Sequence, residues 1–192
     1  MRSLRAARLG WYACAGVLAG PAPLGAQPNP YMIDVAHSYV EFQIRYLGLF
    51  TFGGRFSGLA GTLVFDKDHW DTLESQIEIP VDTLQARPSL WRATLLGPVY
   101  FDESHFPTIE FAATHAERTG PTTGEAEGTL TIRGATRPVA LSMHVAPGEQ
   151  AIDISAEAML KRSNFALGGM LPFASDDVSV ILRLRVLPAA TR

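Results

Sequence analysis

The sequence predicts an all-β protein in which about eight antiparallel strands close into a barrel. Apolar and polar residues alternate with a period of two along most of the chain, and turn residues separate the alternating runs. Each run therefore has one apolar and one polar face. A sheet of this kind must protect its edge strands, and closure into a barrel removes those edges. A two-sheet sandwich is the alternative architecture.

The first 26 residues predict a signal peptide that does not belong to the fold. Three arginines precede a mostly apolar run, residues 11–19, and small residues come before a cleavage site that we place after Ala26. The run is shorter than the roughly 20 apolar residues of a transmembrane helix. We therefore expect a periplasmic or secreted protein without stable membrane insertion, with a single domain over residues 27–192. A lipoprotein acylated at Cys14 is the alternative.

Loss of the signal peptide would leave an acidic protein without cysteine. The chain has 16 basic and 19 acidic side chains, and residues 1–26 carry three arginines and no acid, so 13 basic and 19 acidic side chains remain, a net charge of −6. This charge opposes nucleic-acid binding. Cys14 is the one cysteine, so we expect neither disulfides nor thiolate metal sites in the exported domain.

The first half of the domain contains the less regular strands. Residues 40–46 alternate strictly, and so do residues 73–81 and 109–114. Residues 51–66 keep the alternation but contain four glycines, which indicates bends or bulges in a strongly curved sheet. Residues 89–96, between Pro88 and Gly97, are the one segment without strand alternation and predict a short helix.

The second half predicts longer strands. Its alternating runs cover residues 126–132, 139–145, 152–160 and 178–186, with turns predicted at residues 134–138, 147–148 and 175–177. Runs of about ten residues at about 3.3 Å per residue predict an elongated barrel over about 30 Å tall.

Two Asp-x-x-His pairs are the candidates for catalysis. His37 follows Asp34 and His105 follows Asp102 at the same interval, so each carboxylate could orient an imidazole base. Aspartate before a short turn also caps backbone amides, and this structural role explains the pairs better. The other histidines show no metal-ligand spacing, and no nucleotide or nucleophile motif occurs. We expect no cofactor and no metal.

The barrel interior is apolar, but its pattern does not distinguish a lipid tunnel from a filled core. Eight strands enclose side chains or one small ligand. Aromatic residues at inward positions suit either use. The small inward residues Ala126, Gly128, Ala156 and Ala158 would leave volume that a filled core has to occupy in another way.

Four ordered segments are similar to the YceI-like family of polyisoprenoid-binding proteins. The first contains Ile33-Asp34, His37-Ser38, Phe42, Leu47-Gly48 and Gly54-Arg55-Phe56. The second contains Tyr100-Phe101-Asp102, His105-Phe106-Pro107 and Ile109-Glu110-Phe111. The third runs from Gly128 to Val139, and the fourth is Arg162-Ser163-Asn164-Phe165.

The resemblance implies a lipocalin-like barrel that holds a long isoprenoid or similar amphiphile and has no metal or catalytic residue. A chain lipid suits an apolar wall, since each buried methylene contributes about 0.8 kcal/mol. Arg92 and Arg55 are the candidate contacts for a lipid head group. The predicted tunnel wall comprises Phe42, Ile44, Tyr46, Phe52, Phe56, Leu63, Ile77, Leu95, Phe101, Phe111, Leu130, Ile132, Leu141, Met143, Leu160, Phe165 and Leu182.

The sequence departs from the family pattern at the polar end of the expected pocket. Tyr46 stands where the family often has His, and Arg92, Thr94 and Leu96 replace its Asp, His and Arg. Asn164-Phe165-Ala166 stands where Asp-Phe-Gly is usual. These changes imply a head group different from that of relatives.

Three functions are therefore compared. The first is a non-enzymatic carrier of a long-chain isoprenoid or a fatty amphiphile, as a monomer or a dimer. The second is an enzyme that acts on a barrel-bound lipid through His37 or His105. The third is a solid-core barrel that binds a protein partner on its outside.

Overall fold

The computed structural model describes residues 29–66, 68–167 and 173–189, which form eleven strands, one short helix and several 3-10 turns. The predicted signal peptide and Cys14 lie outside these residues. The helix, α1, covers Arg92–Leu96. The strands are β1 (Asn29–Ile33), β2 (Tyr39–Tyr46), β3 (Phe50–Phe56), β4 (Ala60–Phe65), β5 (Glu74–Pro80), β6 (Gln85–Arg87), β7 (Thr108–Arg118), β8 (Thr123–Ile132), β9 (Ala135–Pro147), β10 (Ile152–Lys161) and β11 (Ala174–Pro188).

The predicted eight-stranded antiparallel barrel is confirmed. Eight strands form a ring in the order β1, β4, β5, β7, β8, β9, β10 and β11, and the pairing of β11 with β1 closes it. The other three strands lengthen the ring at one end, where β2 pairs with β11, β3 with β2, and β6 with β3. Three of the eight barrel positions are therefore occupied by two short strands in series, β1 with β2, β4 with β3, and β5 with β6.

The barrel has two different ends. The end that we call the helix end carries α1, the β2–β3 and β8–β9 hairpins and the connection from β10 to β11. The end that we call the closed end carries the β4–β5 connection and the turns after β7 and β9. Because alternate residues of every strand point inward, one continuous apolar core runs between these ends.

Trp70 fills the core at the closed end. It lies in the 3-10 turn Trp70–Thr72, is 5% exposed, and its ring centroid is 5.6 Å from that of Phe65. A Cβ atom on Gly124 of β8 would come within 2.7 Å of the indole Cε3 atom. The glycine therefore makes room for the tryptophan.

Gly54 explains part of the glycine enrichment in residues 51–66. It lies on β3, where a Cβ atom would come within 2.7 Å of the Leu84 side chain and 2.8 Å of the Phe42 ring. Glycine at this position lets β3 pass close to the core, as expected of a tightly curved sheet.

Two predicted turns are wrong in detail. The turn predicted at residues 134–138 is only Arg133-Gly134, because both residues have positive φ (51° and 72°) and form a two-residue hairpin turn, so β9 already starts at Ala135. Residues 175–177 belong to β11, where the register shifts between Ala174 and Val178. The Asp176 carboxylate accepts hydrogen bonds from the Ser163 amide (2.9 Å) and hydroxyl (2.7 Å), so these polar residues fit an irregular strand.

Ala166 has a backbone conformation that favours glycine. It ends the 3-10 turn Arg162–Phe165 with φ 52° and ψ 33°, in the left-handed region, where a Cβ atom costs about 1–2 kcal/mol. We expect Ala166→Gly to raise the free energy of unfolding by about 0.5–1 kcal/mol, after the greater entropy of glycine in the unfolded chain is subtracted. Urea unfolding followed by circular dichroism measures the change.

Ala140→Gly is the matched control for this prediction. Ala140 is exposed on β9 in an extended conformation, where glycine weakens a strand by about 0.5–1 kcal/mol. The two variants should therefore change stability in opposite directions. Equal losses in both would show that the left-handed conformation of Ala166 carries no cost.

Candidate ligand cavity

An apolar cavity of about 110 Å³ lies inside the barrel at the helix end. Strands β2, β3, β5, β7, β8, β10 and β11 contribute to its wall, with α1 and the segment that precedes β7. The solvent-accessible atoms of the wall are apolar. Its residues are Val40, Phe42, Ile44, Phe56, Ile79, Leu95, Tyr100, Phe101, Ile109, Leu130, Ile132, Leu160, Arg162, Phe165, Leu167, Val178 and Val180.

Two smaller cavities adjoin the main one. A deeper cavity of about 60 Å³ lies toward the barrel centre and shares five wall residues with the main cavity, Val40, Ile79, Leu130, Leu160 and Val180. A side cavity of about 30 Å³ lies between β2, β3 and α1 and shares Phe42, Ile44 and Leu95. The three cavities therefore form one path from the side of α1 to the barrel centre, interrupted by shared side chains.

The period-two pattern produces this wall. On β11, Val178, Val180 and Leu182 point inward, and on β8 Leu130 and Ile132 do the same. Phe42, Phe56 and Phe101 pack together at the main cavity, with ring centroids 5.3–6.0 Å apart. Such contacts stabilise an aromatic cluster.

The cavity volumes limit what the barrel accepts without rearrangement. An engineered cavity of about 150 Å³ holds one benzene molecule, and the main cavity is smaller, at about 110 Å³. A long hydrocarbon chain therefore needs the cavities to merge. The side chains that must move are those shared between them, chiefly Leu130, Leu160 and Val180.

Tyr100 and Arg162 are the polar residues of the main wall. Burial raises the pKa of the Tyr100 hydroxyl, and the positive charge of Arg162 partly opposes that rise. The Arg162 guanidinium donates hydrogen bonds to the carbonyl oxygens of Ser175 (3.1 Å), Ala174 (3.3 Å) and Leu167 (3.4 Å). A neutral phenol beside this cation offers a hydrogen bond and positive potential to a polar group at the cavity wall.

Most of the predicted wall residues lie at these cavities. Nine line the main cavity: Phe42, Ile44, Phe56, Leu95, Phe101, Leu130, Ile132, Leu160 and Phe165. Ile77, Phe111, Leu141 and Leu182 line the deeper cavity, and Phe52 lines the side cavity. Leu63 and Met143 are buried elsewhere in the core, and Tyr46 is half-buried against the Phe52 ring.

The two predicted head-group arginines bind other partners. Arg92 donates hydrogen bonds to the carbonyl oxygens of Leu84 (2.8 Å) and Asp82 (2.6 Å), which attaches α1 to the preceding turn. Arg55 pairs with Glu41 (2.9 Å), and its guanidinium carbon lies 4.0 Å from the Tyr39 ring centroid. Neither arginine is among the residues that line the three cavities.

The small inward residues have different uses. Ala158 lines the deeper cavity, whereas Ala126 and Ala156 are packed in the core. A Cβ atom on Gly128 would approach the Cα atom of Ala113 on β7 to 2.9 Å. Gly128 therefore lets two strands approach, and its missing side chain does not create tunnel volume.

Three Asp-x-x-His turns lie on the surface of the barrel. The Nδ1 atoms of His37, His69 and His105 are 2.8 Å, 3.1 Å and 2.9 Å from the carboxylates of Asp34, Asp66 and Asp102. Asp34 and Asp66 also accept hydrogen bonds from backbone amides two residues further along the chain. The third pair, at His69, was not singled out from the sequence. The described walls of the three cavities contain no histidine.

These turns lower carboxyl pKa values. The hydrogen bond from His37 lowers the pKa of Asp34, and that from His105 lowers the pKa of Asp102. For Asp66 the backbone amide of Asp68 lowers the pKa most, and His69 adds to the effect. These three ionised carboxylates stabilise the folded state. Their contribution is complete above the unfolded-state pKa of about 4, and it is lost as the pH falls through the lower folded-state pKa.

We expect the triple variant Asp34→Asn/Asp66→Asn/Asp102→Asn to lose less stability on acidification than the unchanged protein. Without the three carboxylates, fewer protons are taken up on unfolding in acid. Urea unfolding at about pH 6 and at about pH 3 measures the difference. The control removes three exposed carboxylates elsewhere, Asp71→Asn/Glu74→Gln/Glu149→Gln. An equally reduced acid sensitivity in the control would contradict this assignment.

Sequence reasoning did not assign Tyr100, Arg162 or Leu167 to the cavity wall. Tyr100 and Arg162 both belong to segments that carry the family resemblance, but the resemblance did not indicate that they line the cavity. Leu167 follows the last of these segments and reaches the wall through the left-handed turn at Ala166. Nothing in the alternation pattern indicates that turn.

No cluster of three or more potential metal ligands occurs within residues 29–66, 68–167 and 173–189. Among the helices in this part of the chain, none has the length and apolar character needed to cross a membrane.

Comparison with known sequences identifies one family. The model of the YceI-like domain matches residues 31–186. A UPF0312 protein of Pseudomonas savastanoi pv. phaseolicola is 26% identical over 118 residues, which are 60% of this chain and 62% of that protein. The aligned part of this chain therefore spans less than two thirds of that relative.

Comparison with solved structures gives the same fold. BcnA of Burkholderia cenocepacia superposes with a TM-score of 0.74 at 22% identity, over 83% of this chain and 99% of BcnA. A polyisoprenoid binding domain from Saccharophagus degradans superposes with a TM-score of 0.66 at 13% identity, over 83% of this chain and 98% of that domain. At these identities the likeness concerns the fold alone.

Proposed function

This chain belongs to the YceI-like family, and on that premise we propose that it is a non-enzymatic carrier of a long-chain isoprenoid or a similar amphiphilic lipid. The observation that carries the proposal is the apolar cavity inside the helix end of the barrel. The similar domain from Saccharophagus degradans, which binds a polyisoprenoid, supports the ligand class. The predicted signal peptide supports a periplasmic or secreted location.

The lipid tail enters the main cavity and extends toward the barrel centre. Binding displaces the side chains that separate the main and deeper cavities, and the resulting tunnel is lined by aliphatic and aromatic groups. Each methylene that leaves water contributes about 0.8 kcal/mol, so a long tail offsets the cost of this rearrangement. Affinity therefore depends on chain length more than on any polar contact.

The lipid head group lies near Tyr100 and Arg162. Both residues belong to the wall of the main cavity, and a head group bound there leaves the tail free to follow the apolar path. The phenol can donate to a carbonyl or phosphate oxygen, and the guanidinium adds positive potential. Tyr100 and Arg162 thus take the head-group role predicted for Arg92 and Arg55, whose guanidinium groups bind other partners.

Titration with isoprenoid alcohols of increasing length tests the proposal. Geraniol, farnesol and geranylgeraniol are added to the purified protein, and the affinity of each is measured by isothermal titration calorimetry. We expect each added isoprene unit to tighten binding by at least about tenfold, since its carbons leave water for an apolar tunnel. Equal affinity for all three alcohols, or binding of none, would refute a chain-length-dependent carrier.

The small size of the cavities favours one alternative, a filled barrel that binds a protein partner on its outside. The main apolar cavity measures about 110 Å³, a volume that imperfect packing of a filled core can also leave. The titration separates the two functions, because a filled barrel binds none of the alcohols. An enzyme using His37 or His105 is less well supported, since both imidazoles lie in exposed turns.

A further inference from the structure

We infer that the helix end of the barrel docks reversibly on an anionic lipid bilayer, through a ring of exposed apolar side chains beside the cavity. The inference goes beyond the proposed function. It rests on that function only for the biological reason to dock, because a lipid carrier must contact a membrane to exchange its lipid. We call this ring the apolar rim and define it as Leu47, Leu49, Phe50, Leu90, Val99 and Phe173.

The rim residues are large, apolar and strongly exposed. The most exposed is Leu49, at 85%, followed by Leu90 at 75% and Phe173 at 71%. Single exposed apolar residues are ordinary on a protein surface, but several at one end form a patch that indicates an interaction site. Exposed Met32 and Leu187 lie away from this end, on β1 and β11, where they pair with each other near the closed end.

Backbone contacts bring four rim residues together. Leu47 and Leu49 form the tip of the β2–β3 hairpin, and Phe50 is the first residue of β3. The Leu47 amide donates a hydrogen bond to the carbonyl oxygen of Phe173 (3.0 Å), which places the start of β11 beside this tip. Leu47, Leu49, Phe50 and Phe173 therefore form one continuous patch.

The rim continues into the cavities. Phe52, two residues beyond Phe50, packs its ring 5.6 Å from that of Trp91, which follows Leu90. Phe52 and Trp91 both line the side cavity, whose other wall residues include Ile44 and Leu95 of the main cavity. A lipid tail that leaves the bilayer beneath the rim thus passes directly onto apolar surface.

The charges of the two barrel ends favour docking of the rim on an anionic surface. Arg45, Arg87 and Arg137 are exposed near the helix end, and Arg87 lines the side cavity. The exposed helix-end carboxylate Asp177 is paired with Lys161 (2.9 Å). Other exposed carboxylates concentrate at the closed end, among them Asp68, Asp71, Glu74, Glu117, Glu125 and Glu149. The acidic protein is therefore polarised, and an anionic bilayer attracts its helix end while repelling the other.

Insertion of the rim is shallow and needs no spanning segment. Leucine and phenylalanine side chains at hairpin tips can enter the boundary between head groups and acyl chains, and binding strength grows with the apolar area that they bury. Neighbouring arginines add an electrostatic contribution that salt weakens. A protein partner, or a second copy of the chain, would instead require a shaped complementary surface and would not bind vesicles.

Vesicle flotation of the protein without its predicted signal peptide, residues 27–192, tests the inference. Vesicles of phosphatidylcholine with phosphatidylglycerol are compared with vesicles of phosphatidylcholine alone, for the unchanged protein and for Leu49→Ser/Phe50→Ser. We expect the unchanged protein to bind the anionic vesicles better, and the double variant to partition at least about tenfold more weakly. The matched control, Met32→Ser/Leu187→Ser, removes two exposed apolar side chains near the closed end and should bind normally.

Three results would overturn the inference. They are absence of binding to either vesicle type, equal binding by the rim variant, and equal loss in the control. Sedimentation measures self-association in parallel, and a rim-dependent dimer without vesicle binding would assign the rim to a second copy of the chain. Titration with isoprenoid alcohols distinguishes lipid carriage from membrane docking. A protein that binds the alcohols but does not bind vesicles would refute only membrane docking through the rim.

Discussion

Trp70→Ala is expected to lower the free energy of unfolding by about 3–5 kcal/mol, the range for truncation of a buried aromatic side chain. The indole is 5% exposed and packs against Phe65, and the Arg118 guanidinium carbon lies 5.6 Å from its ring centroid. Because Gly124 has no side chain to fill the space, the surrounding core cannot collapse into the gap. Urea unfolding followed by circular dichroism gives the loss.

Trp91→Ala is the matched control for this prediction. Trp91 is the same residue type but is only half-buried, beside α1. Its truncation should cost less than half as much, because it leaves a gap that solvent can fill. If both variants lose the same stability, Trp70 does not close the barrel core in the way described.

Val180→Phe is expected to weaken binding of geranylgeraniol by more than about tenfold while the barrel stays folded. Val180 lies on β11 between Phe42 of β2 and Ala158 of β10, and it lines both the main and the deeper cavity. A phenyl ring at this position occupies the space through which the tail has to pass. Calorimetric titration measures the loss, and the thermal transition shows whether the fold is intact.

The control for this prediction is Val64→Phe on the outer face of β4. Val64 lies between Leu63 and Phe65, which point into the core, so its added ring faces outward. Binding by this variant should equal that of the unchanged protein. Unaltered binding by Val180→Phe, with the fold intact, would place the ligand outside the barrel.

The fold could be predicted because alternation is local. The periods of residues 126–132 and 178–186 identify inward and outward faces directly, and closure follows from the need to protect edges. Interruptions of the strands are harder to predict. The serial strands β1 and β2 share the same partner, β11, and only the long-range register shows that they occupy one barrel position.

The candidate site could be predicted less completely, because a cavity is what remains after distant side chains have packed. Leu63 and Leu160 have the same inward pattern, yet Leu160 lines the main cavity and Leu63 is packed in the core. Arginine roles depend on partners that the pattern does not show. Arg55 and Arg92 are used in structural contacts, whereas Arg162 belongs to the cavity wall.

Mass spectrometry of lipid extracted from the purified protein tests most directly whether a lipid occupies the barrel. The unchanged protein and the Val180→Phe variant are purified in parallel from the same membrane-containing extract. We expect a long-chain isoprenoid or similar amphiphile in near-stoichiometric amount with the unchanged protein, and its strong depletion from the variant. Repeated recovery of lipid-free protein, or equal lipid with both proteins, would contradict it.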